Sequence, residues 1–207
     1  MNGDLPLGCT TIAIAQIMKS ICHPSTIDWA AMPNVLEYYQ TNITLTDFLA
    51  QLRGDIGVDN NGGATITEVK TAICSQYGYR PEFGFNTNIV SHNTSSVRVS
   101  LANGFSVFMS GHDSRGGDGH AWACDGYYSL TPQTEYYLYV IPMRSEITYL
   151  ERIDSRIVYP ELVQVYNYYH MNMGWSGTDN GWYYEDYVST SLGNYQNDRY
   201  DLIISRT

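Results

Sequence analysis

Cys9 is the residue in this sequence best placed to act as a nucleophile. It follows Gly8 and begins the run CTTIAIAQIMKSI, whose apolar residues cover most of a helical surface, as is typical of a buried helix. A helix N-terminus lowers the pKa of a cysteine, and its free backbone N–H groups can also hold an oxyanion during acyl transfer. The alternative interpretation is an apolar cysteine that fills the start of the helix.

A thiol nucleophile needs a base, and His120 is the best placed of the five histidines. Such a base is brought to the cysteine by a distant part of the fold. His120 follows a glycine-rich loop at 111–119 and begins the apolar run AWAC, so a strand would hold it while its ring faces a cleft. Gly119 and Gly8 are therefore supporting residues. The alternative is an ordinary histidine at the edge of a strand. The other candidates are His23, His92, His112 and His170.

Asn172 is the candidate for the group that orients His120. It lies in HMNMGWSG, where a Tyr-rich strand ends and a glycine turn begins. An Asn side chain in this place can accept a hydrogen bond from the far ring nitrogen of the histidine and so set its tautomer. We expect Trp175 to shield that bond from water. The alternative is an aromatic turn that only packs on the core.

The elements that must position these residues change in type along the chain. Helices come first and strands follow, which is typical of an α+β fold with two lobes. The predicted helices are Cys9–Ile21, 45–53 with Thr46 as its cap, and 65–77. The predicted strands are 105–109, 121–124 before a turn at Asp125-Gly126, 135–141, 163–171, 181–184 and 200–205.

Composition argues against several classes of protein. The chain has 207 residues, a net charge of −10 and only 11 Lys and Arg, so nucleic acid is not an expected partner. No apolar run is long enough for a membrane helix. The four cysteines contain no CxxC pair, which argues against a zinc ribbon, and Cys22, Cys74 and Cys124 are expected to be small buried residues. Residues 1–8 lack signal-peptide features, so we expect a mature or truncated chain.

Three segments, in this order, resemble the streptopain family of papain-like cysteine peptidases. The first resembles the family's nucleophile helix, the second its catalytic-histidine strand and the third its Asn-Trp-Gly-Trp-Gly-Gly segment. They are GCTTIAIAQIMK at 8–19, GHAWACDG at 119–126, and NMGWSG at 172–177 followed by NGWY at 180–183.

The resemblance implies a papain-like fold of the α+β class. A buried nucleophile helix would lie in the N-terminal lobe, and an antiparallel β-sheet or barrel would form the C-terminal lobe. One catalytic domain would span 1–207, with a helical lobe at 1–100 and a β lobe at 101–207. The stretch 128–164 exceeds the family's short link and is interpreted as an inserted β-hairpin or small subdomain. The upstream part of the mature enzyme and the pro-domain would lie outside this sequence.

The resemblance also implies a function. The protein would be a bacterial endopeptidase, secreted or at the cell surface and made as a zymogen. Cys9 would attack the scissile carbonyl, and His120 would carry protons while an acyl-enzyme forms and is hydrolysed. No metal or organic cofactor is expected. The expected partners are polypeptide substrates and either the protein's own pro-domain or a protein inhibitor.

Two departures from the family pattern leave alternatives open. Residues 1–8 contain no glutamine for the oxyanion hole, and Gln16 lies too far along the helix to replace it; losing one such donor costs about 10²–10³ in rate. Met173 stands where the family has a tryptophan close to the catalytic histidine. A degenerate papain-fold protein that binds peptides or a partner without cleaving is therefore the first alternative, and a transglutaminase or amidase is the second.

Overall fold

A computed structural model describes residues 5–34, 41–131, 136–140, 151–157, 165–184 and 186–207. The chain divides into two compact units, one made of Met1–Tyr127 with Tyr168–Thr207 and the other of Tyr128–Asn167. Strands β4 (Tyr136–Val140) and β5 (Glu151–Ile157) of the second unit pair antiparallel. This unit overlaps the stretch that we interpret as an insertion, and that interpretation stays a prediction.

The four α-helices that the structure describes all lie in the first unit. Helix α1 is buried, since Ala13, Ile14, Ile17 and Met18 are at most 1% exposed. Each of the other three begins at a side-chain cap, which satisfies backbone N–H groups that have no partner within the helix. The bounds are α1 Cys9–Ile21, α2 Ile43–Ile56, α3 Ile66–Gln76 and α4 Thr94–Ala102.

Helix α2 is longer than predicted at both ends. Its cap is Asn42, whose Oδ1 accepts from the backbone N–H of Leu45 at 2.8 Å. The predicted cap, Thr46, instead lies inside the helix and donates its hydroxyl to the Asn42 carbonyl at 2.9 Å. The helix ends at Ile56, and the residue that caps it, Gly57, adopts a left-handed conformation with φ 80°, as is common at helix C-termini.

Six strands of the described chain form one sheet in the order β1-β8-β2-β3-β6-β7. The pairs β1–β8, β2–β8, β2–β3 and β6–β7 are antiparallel. This sheet and the helices confirm the predicted α+β class. The strands are β1 Phe85–Ser91, β2 Val107–His112, β3 Gly119–Leu130, β6 Tyr166–Asn172, β7 Gly181–Tyr184 and β8 Asn197–Arg206.

The centre of the sheet is buried on both faces. Side chains alternate between faces along a strand, so Ala121 and Ala123 of β3 join the core that contains α1, while Trp122 and Cys124 join a second core with Tyr169 and Met171 of β6. His120 has the same parity as Trp122, which places its ring on the side of the second core.

Three details differ from the sequence-based expectations. Strand β3 continues through the predicted turn at Asp125-Gly126, where Gly126 lies against His170 and Trp182 of neighbouring strands. Strand β1 and helix α4 were not predicted, and β1 extends the sheet into residues 1–100. Cys22 is exposed rather than buried, because it forms the left-handed C-cap of α1, whereas Cys74 is half-buried and Cys124 is buried.

Candidate active site

Gly8 brings the chain into α1 so that Cys9 becomes the first residue of the helix. Its φ is +84°, and a Cβ at this position would lie 2.5 Å from the backbone oxygen of Gly62. Only glycine combines this conformation with so close an approach. The predicted supporting role of Gly8 therefore has a steric basis: it seats the start of α1 against the loop that contains Gly62.

The Cys9 sulfur is half-buried and surrounded by backbone N–H groups. Burial raises the pKa of the Cys9 thiol, and hydrogen bonds from the backbone N–H groups of Ala121, Thr10 and Cys9 itself offset only part of that rise. The lowering of the pKa that we expected at a helix N-terminus is thus outweighed by desolvation, and the isolated thiol is protonated at neutral pH.

The structure brings Cys9 and His120 to one cleft of about 760 Å³. His120 is the second residue of β3 and is 7% exposed. Ala121, which follows it, directs its backbone N–H to the Cys9 sulfur. Gly119, which precedes it, pairs with His112 of β2, and both line the same cleft. The base and nucleophile proposed from the sequence therefore line the same cleft.

The ring of His120 is held by a backbone carbonyl. Its Nε2 lies 3.0 Å from the carbonyl oxygen of Met173. A carbonyl only accepts, so Nε2 carries the proton and Nδ1 of the neutral ring carries the lone pair. Trp175 stacks on the imidazole with ring centroids 4.3 Å apart, and Tyr195 lies 5.2 Å away. These contacts fix both the tautomer and the plane of the ring.

Burial in this aromatic setting keeps His120 uncharged at rest. Desolvation lowers the pKa of His120 to about 4, and the hydrogen bond to Met173 counteracts only part of that effect. A neutral imidazole with a free Nδ1 is a proton acceptor, which is the form that a general base needs.

The predicted contact between Asn172 and His120 is wrong. Asn172 Oδ1 accepts from Gln16 Nε2 at 3.0 Å and from the backbone N–H of Gly174 at 3.2 Å. The acceptor for His120 is the carbonyl of the next residue, Met173. Because this acceptor belongs to the backbone, the methionine in place of the family's tryptophan does not remove it.

The other histidines belong to different settings. His92 bonds to two carboxylates, Asp186 at 2.6 Å and Asp201 at 2.8 Å. His170 pairs with Asp125 at 2.5 Å. His23 packs against aromatic rings near the end of α1. Among the four histidines other than His120, only His112 lines the cleft.

Four contributors to the site were not found from the sequence. The Met173 carbonyl holds His120, and Asn180 Oδ1 accepts from the Met173 N–H at 2.8 Å. Gln16 bonds to Asn172, and the Tyr195 ring closes over His120. The segments AQIMK and NGWY gave a signal for Gln16 and Asn180 through their family resemblance. A backbone carbonyl and a loop tyrosine carried none.

A cysteine at a helix start and a histidine on a strand that share one cleft define the class of papain-like cysteine peptidases. The family model described as the Peptidase C10 family matches residues 20–183. The chain belongs to this family, the streptopain family, and is a cysteine-type peptidase. The matched range contains His120 and Asn172 and begins after Cys9.

A solved structure has the same fold. It is the active wild-type interpain A cysteine protease of Prevotella intermedia, with a TM-score of 0.64 and 17% sequence identity over 97% of this chain and 83% of that one. At this identity the likeness concerns the fold alone. No curated protein matches the chain. The predicted family and papain-like fold are confirmed.

Proposed function

We propose that this chain is a secreted cysteine endopeptidase in which Cys9 is the nucleophile and His120 the general base. One observation carries the proposal: His120 donates through Nε2 to the Met173 carbonyl, which leaves Nδ1 as the acceptor atom of the ring, and His120 and Cys9 line one cleft. The membership in the peptidase C10 family supports it independently.

Proton transfer within this pair supplies the nucleophile. The Cys9 proton moves to Nδ1 of His120, which creates a thiolate and an imidazolium together, and their attraction offsets the desolvation that opposes each charge alone. The Met173 carbonyl stabilises the imidazolium through Nε2. Trp175 covers the ring and keeps water from competing for that hydrogen bond.

The reaction then follows from the two groups. The thiolate attacks the scissile carbonyl carbon, and backbone N–H groups at the start of α1, which lack partners within the helix, face the developing oxyanion. The imidazolium gives its proton to the leaving amine, and an acyl-enzyme remains. His120 next takes a proton from water, the hydroxide attacks the thioester, and the acid product leaves with Cys9 restored.

The cleft is suited to a polypeptide. The loop at 61–64 lines it together with Cys9 and His120, and loop backbone beside a cleft can hydrogen-bond an extended peptide. Secretion and synthesis as a zymogen are proposed from the family alone. Among the described residues, no helix is long and apolar enough to cross a membrane.

The test uses alkylation and cleavage together. We expect E-64 to label Cys9 and iodoacetamide to modify it in a His120-dependent way, so that His120→Ala slows modification at Cys9 but not at the exposed Cys22. Cys9→Ala and His120→Ala should each abolish casein cleavage, and Cys22→Ala is the matched control that should retain it. Equal labelling of all four cysteines, or none at Cys9, contradicts the proposed site.

The second candidate is a degenerate papain-fold protein that binds peptides. The observation in its favour is that burial opposes charge on both groups, since it raises the pKa of Cys9 and lowers that of His120. Retained binding of a casein peptide by the wild type, without cleavage and without E-64 labelling, would select this candidate.

A further inference from the structure

Gln16 connects the helix that carries Cys9 to the segment that orients His120. It lies seven residues after Cys9 in α1, close to two helical turns, so both side chains leave the helix on the same face. Its Nε2 donates to Asn172 Oδ1 at 3.0 Å, across 156 residues of sequence. Gln16 therefore reaches from the nucleophile's helix to the end of β6.

Asn172 passes this restraint to the peptide that holds His120. Its Oδ1 also accepts from the Gly174 N–H at 3.2 Å. That N–H and the Met173 carbonyl belong to one peptide unit, which is trans, because the cis bond found in the described chain is His23–Pro24. In a trans peptide the N–H and C=O point in opposite directions. An acceptor on the N–H side thus fixes the direction of the carbonyl that faces His120.

The backbone on either side of this peptide is restrained as well. Asn180 Oδ1 accepts from the Met173 N–H at 2.8 Å. Gly174 has φ +76°, and a Cβ at this position would lie 2.8 Å from Cγ2 of Ile12 in α1. The backbone is therefore pressed against the nucleophile's helix at a place where only glycine fits. Both Ile12 and Gln16 tie the orientation of the peptide to the position of α1.

We propose that Gln16 is a positioning residue for His120, acting through Asn172 and the Met173–Gly174 peptide. Its catalytic consequence rests on the proposed function. Without the Gln16 donor, Asn172 Oδ1 can turn away from Gly174, and the peptide can rotate its carbonyl off Nε2. The imidazole can then adopt the tautomer with the proton on Nδ1, in which it cannot accept the proton of Cys9.

The test compares Gln16→Met with Gln51→Met. A methionine side chain has about the length and volume of glutamine but no N–H donor. Gln51 is exposed on α2, so the same substitution at this position is a matched control. In Gln16→Met we expect Cys9 alkylation by iodoacetamide at neutral pH to slow roughly tenfold to a hundredfold, as displacement of a catalytic group does. Its pH profile should shift, and the His120 Nε2–H signal in ¹⁵N NMR should broaden or disappear. Gln51→Met should change none of these.

A double-mutant comparison separates this role from simple packing. In an Asn172→Ala background the side chain that connects Gln16 to the Met173–Gly174 peptide is already absent. Gln16→Met should then slow alkylation by less than about twofold further. If the effects of the two substitutions multiply independently, or if Gln16→Met lowers only the free energy of unfolding and leaves the pH profile and the Nε2–H signal intact, the proposal is overturned.

Two measurements keep the test decisive. If Gln16→Met does not fold, hydrogen exchange in the wild type replaces it. Slow exchange of both the Gln16 side-chain amide and the Gly174 backbone amide supports the proposal. Fast exchange of either amide overturns it. Alkylation and NMR need no peptidase activity. A wild type that alkylates rapidly at Cys9 but does not cleave casein would refute the proposed endopeptidase and leave the role of Gln16 standing.

Discussion

His120 and His92 are both largely withdrawn from solvent, yet their surroundings keep His120 neutral and His92 positively charged at neutral pH. His120 is 7% exposed and lies among aromatic rings with one neutral acceptor. The side chain of His92 is 14% exposed and lies between Asp186 and Asp201. Burial alone would lower the pKa of His92 too, but its hydrogen bonds to Asp186 and Asp201 raise that pKa to about 9.

The difference shows what the fold uses each histidine for. His92, Arg199, Asp186 and Asp201 form a cluster with two positive and two negative groups, in which Arg199 bonds to Asp186 at 2.9 Å. A histidine held charged at neutral pH in this way is not available as a base there, and it serves as a structural tie between the segments that carry the two carboxylates. A neutral carbonyl at His120 orients the ring without charging it, which leaves the neutral imidazole that the proposed general base needs.

The largest expected effect comes from removing one charge of the His92 cluster. Asp201 is fully buried and accepts from both His92 and the Asn93 backbone. Asp201→Asn leaves two cations facing Asp186 alone, and we expect a loss of about 3 kcal/mol in the free energy of unfolding. Urea unfolding at pH 6 measures it. Repeating the measurement above pH 9, where His92 is neutral, should give a smaller loss; an equal loss at both pH values would contradict the charged state of His92.

The second prediction is that the two histidines change the free energy of unfolding in opposite directions of pH. In the folded protein the pKa of His92, about 9, exceeds the ordinary value of 6.5. Its contribution to the free energy of unfolding is therefore complete below pH 6.5 and is lost as pH rises to 9. The folded pKa of His120, about 4, is below 6.5, so its contribution is present above pH 6.5 and is lost as pH falls to 4. Each should amount to about 1–3 kcal/mol.

Two substitutions separate these arms of the stability curve. The free energy of unfolding is measured from pH 4 to pH 9.5. His92→Gln should remove most of its decrease between pH 6.5 and pH 9 and leave its decrease below pH 6.5 unchanged. His120→Gln should do the reverse. If His92→Gln leaves the alkaline arm unchanged, the two carboxylates do not hold this histidine charged.

How far the sequence predicts these two regions differs for a physical reason. Cys9 and His120 could be proposed from the sequence because a buried helix start and a strand after a glycine-rich loop have local patterns, and the family motifs supplied their order. The partner of His120 is the backbone carbonyl of Met173, which no residue type encodes. The motif therefore pointed to the adjacent side chain of Asn172, which the structure places against Gln16 instead.

The His92 cluster was missed because its members are far apart in sequence. Asp186 and Asp201 lie 94 and 109 residues from His92, and the polar stretch around His92 resembles an ordinary loop. Strand β1 was missed as well, since its residues FNTNIVS carry polar side chains although it pairs along its full length with β8. Long-range pairing decides such cases, and a single sequence does not display it.

The smallest expected effect sharpens the comparison with a histidine–carboxylate pair at the surface. His170 and Asp125 lie 2.5 Å apart, closer than either carboxylate lies to His92, but their side chains are 32% and 41% exposed. Solvent screens such a pair, so Asp125→Asn should change the free energy of unfolding by at most about 1 kcal/mol. Urea unfolding of Asp125→Asn and of Asp201→Asn, each at pH 6 and at low and high salt, provides the comparison. A loss for Asp125→Asn as large as that for Asp201→Asn would mean that distance rather than burial determines the strength of these pairs, and would remove the basis for treating His92 as a structural tie.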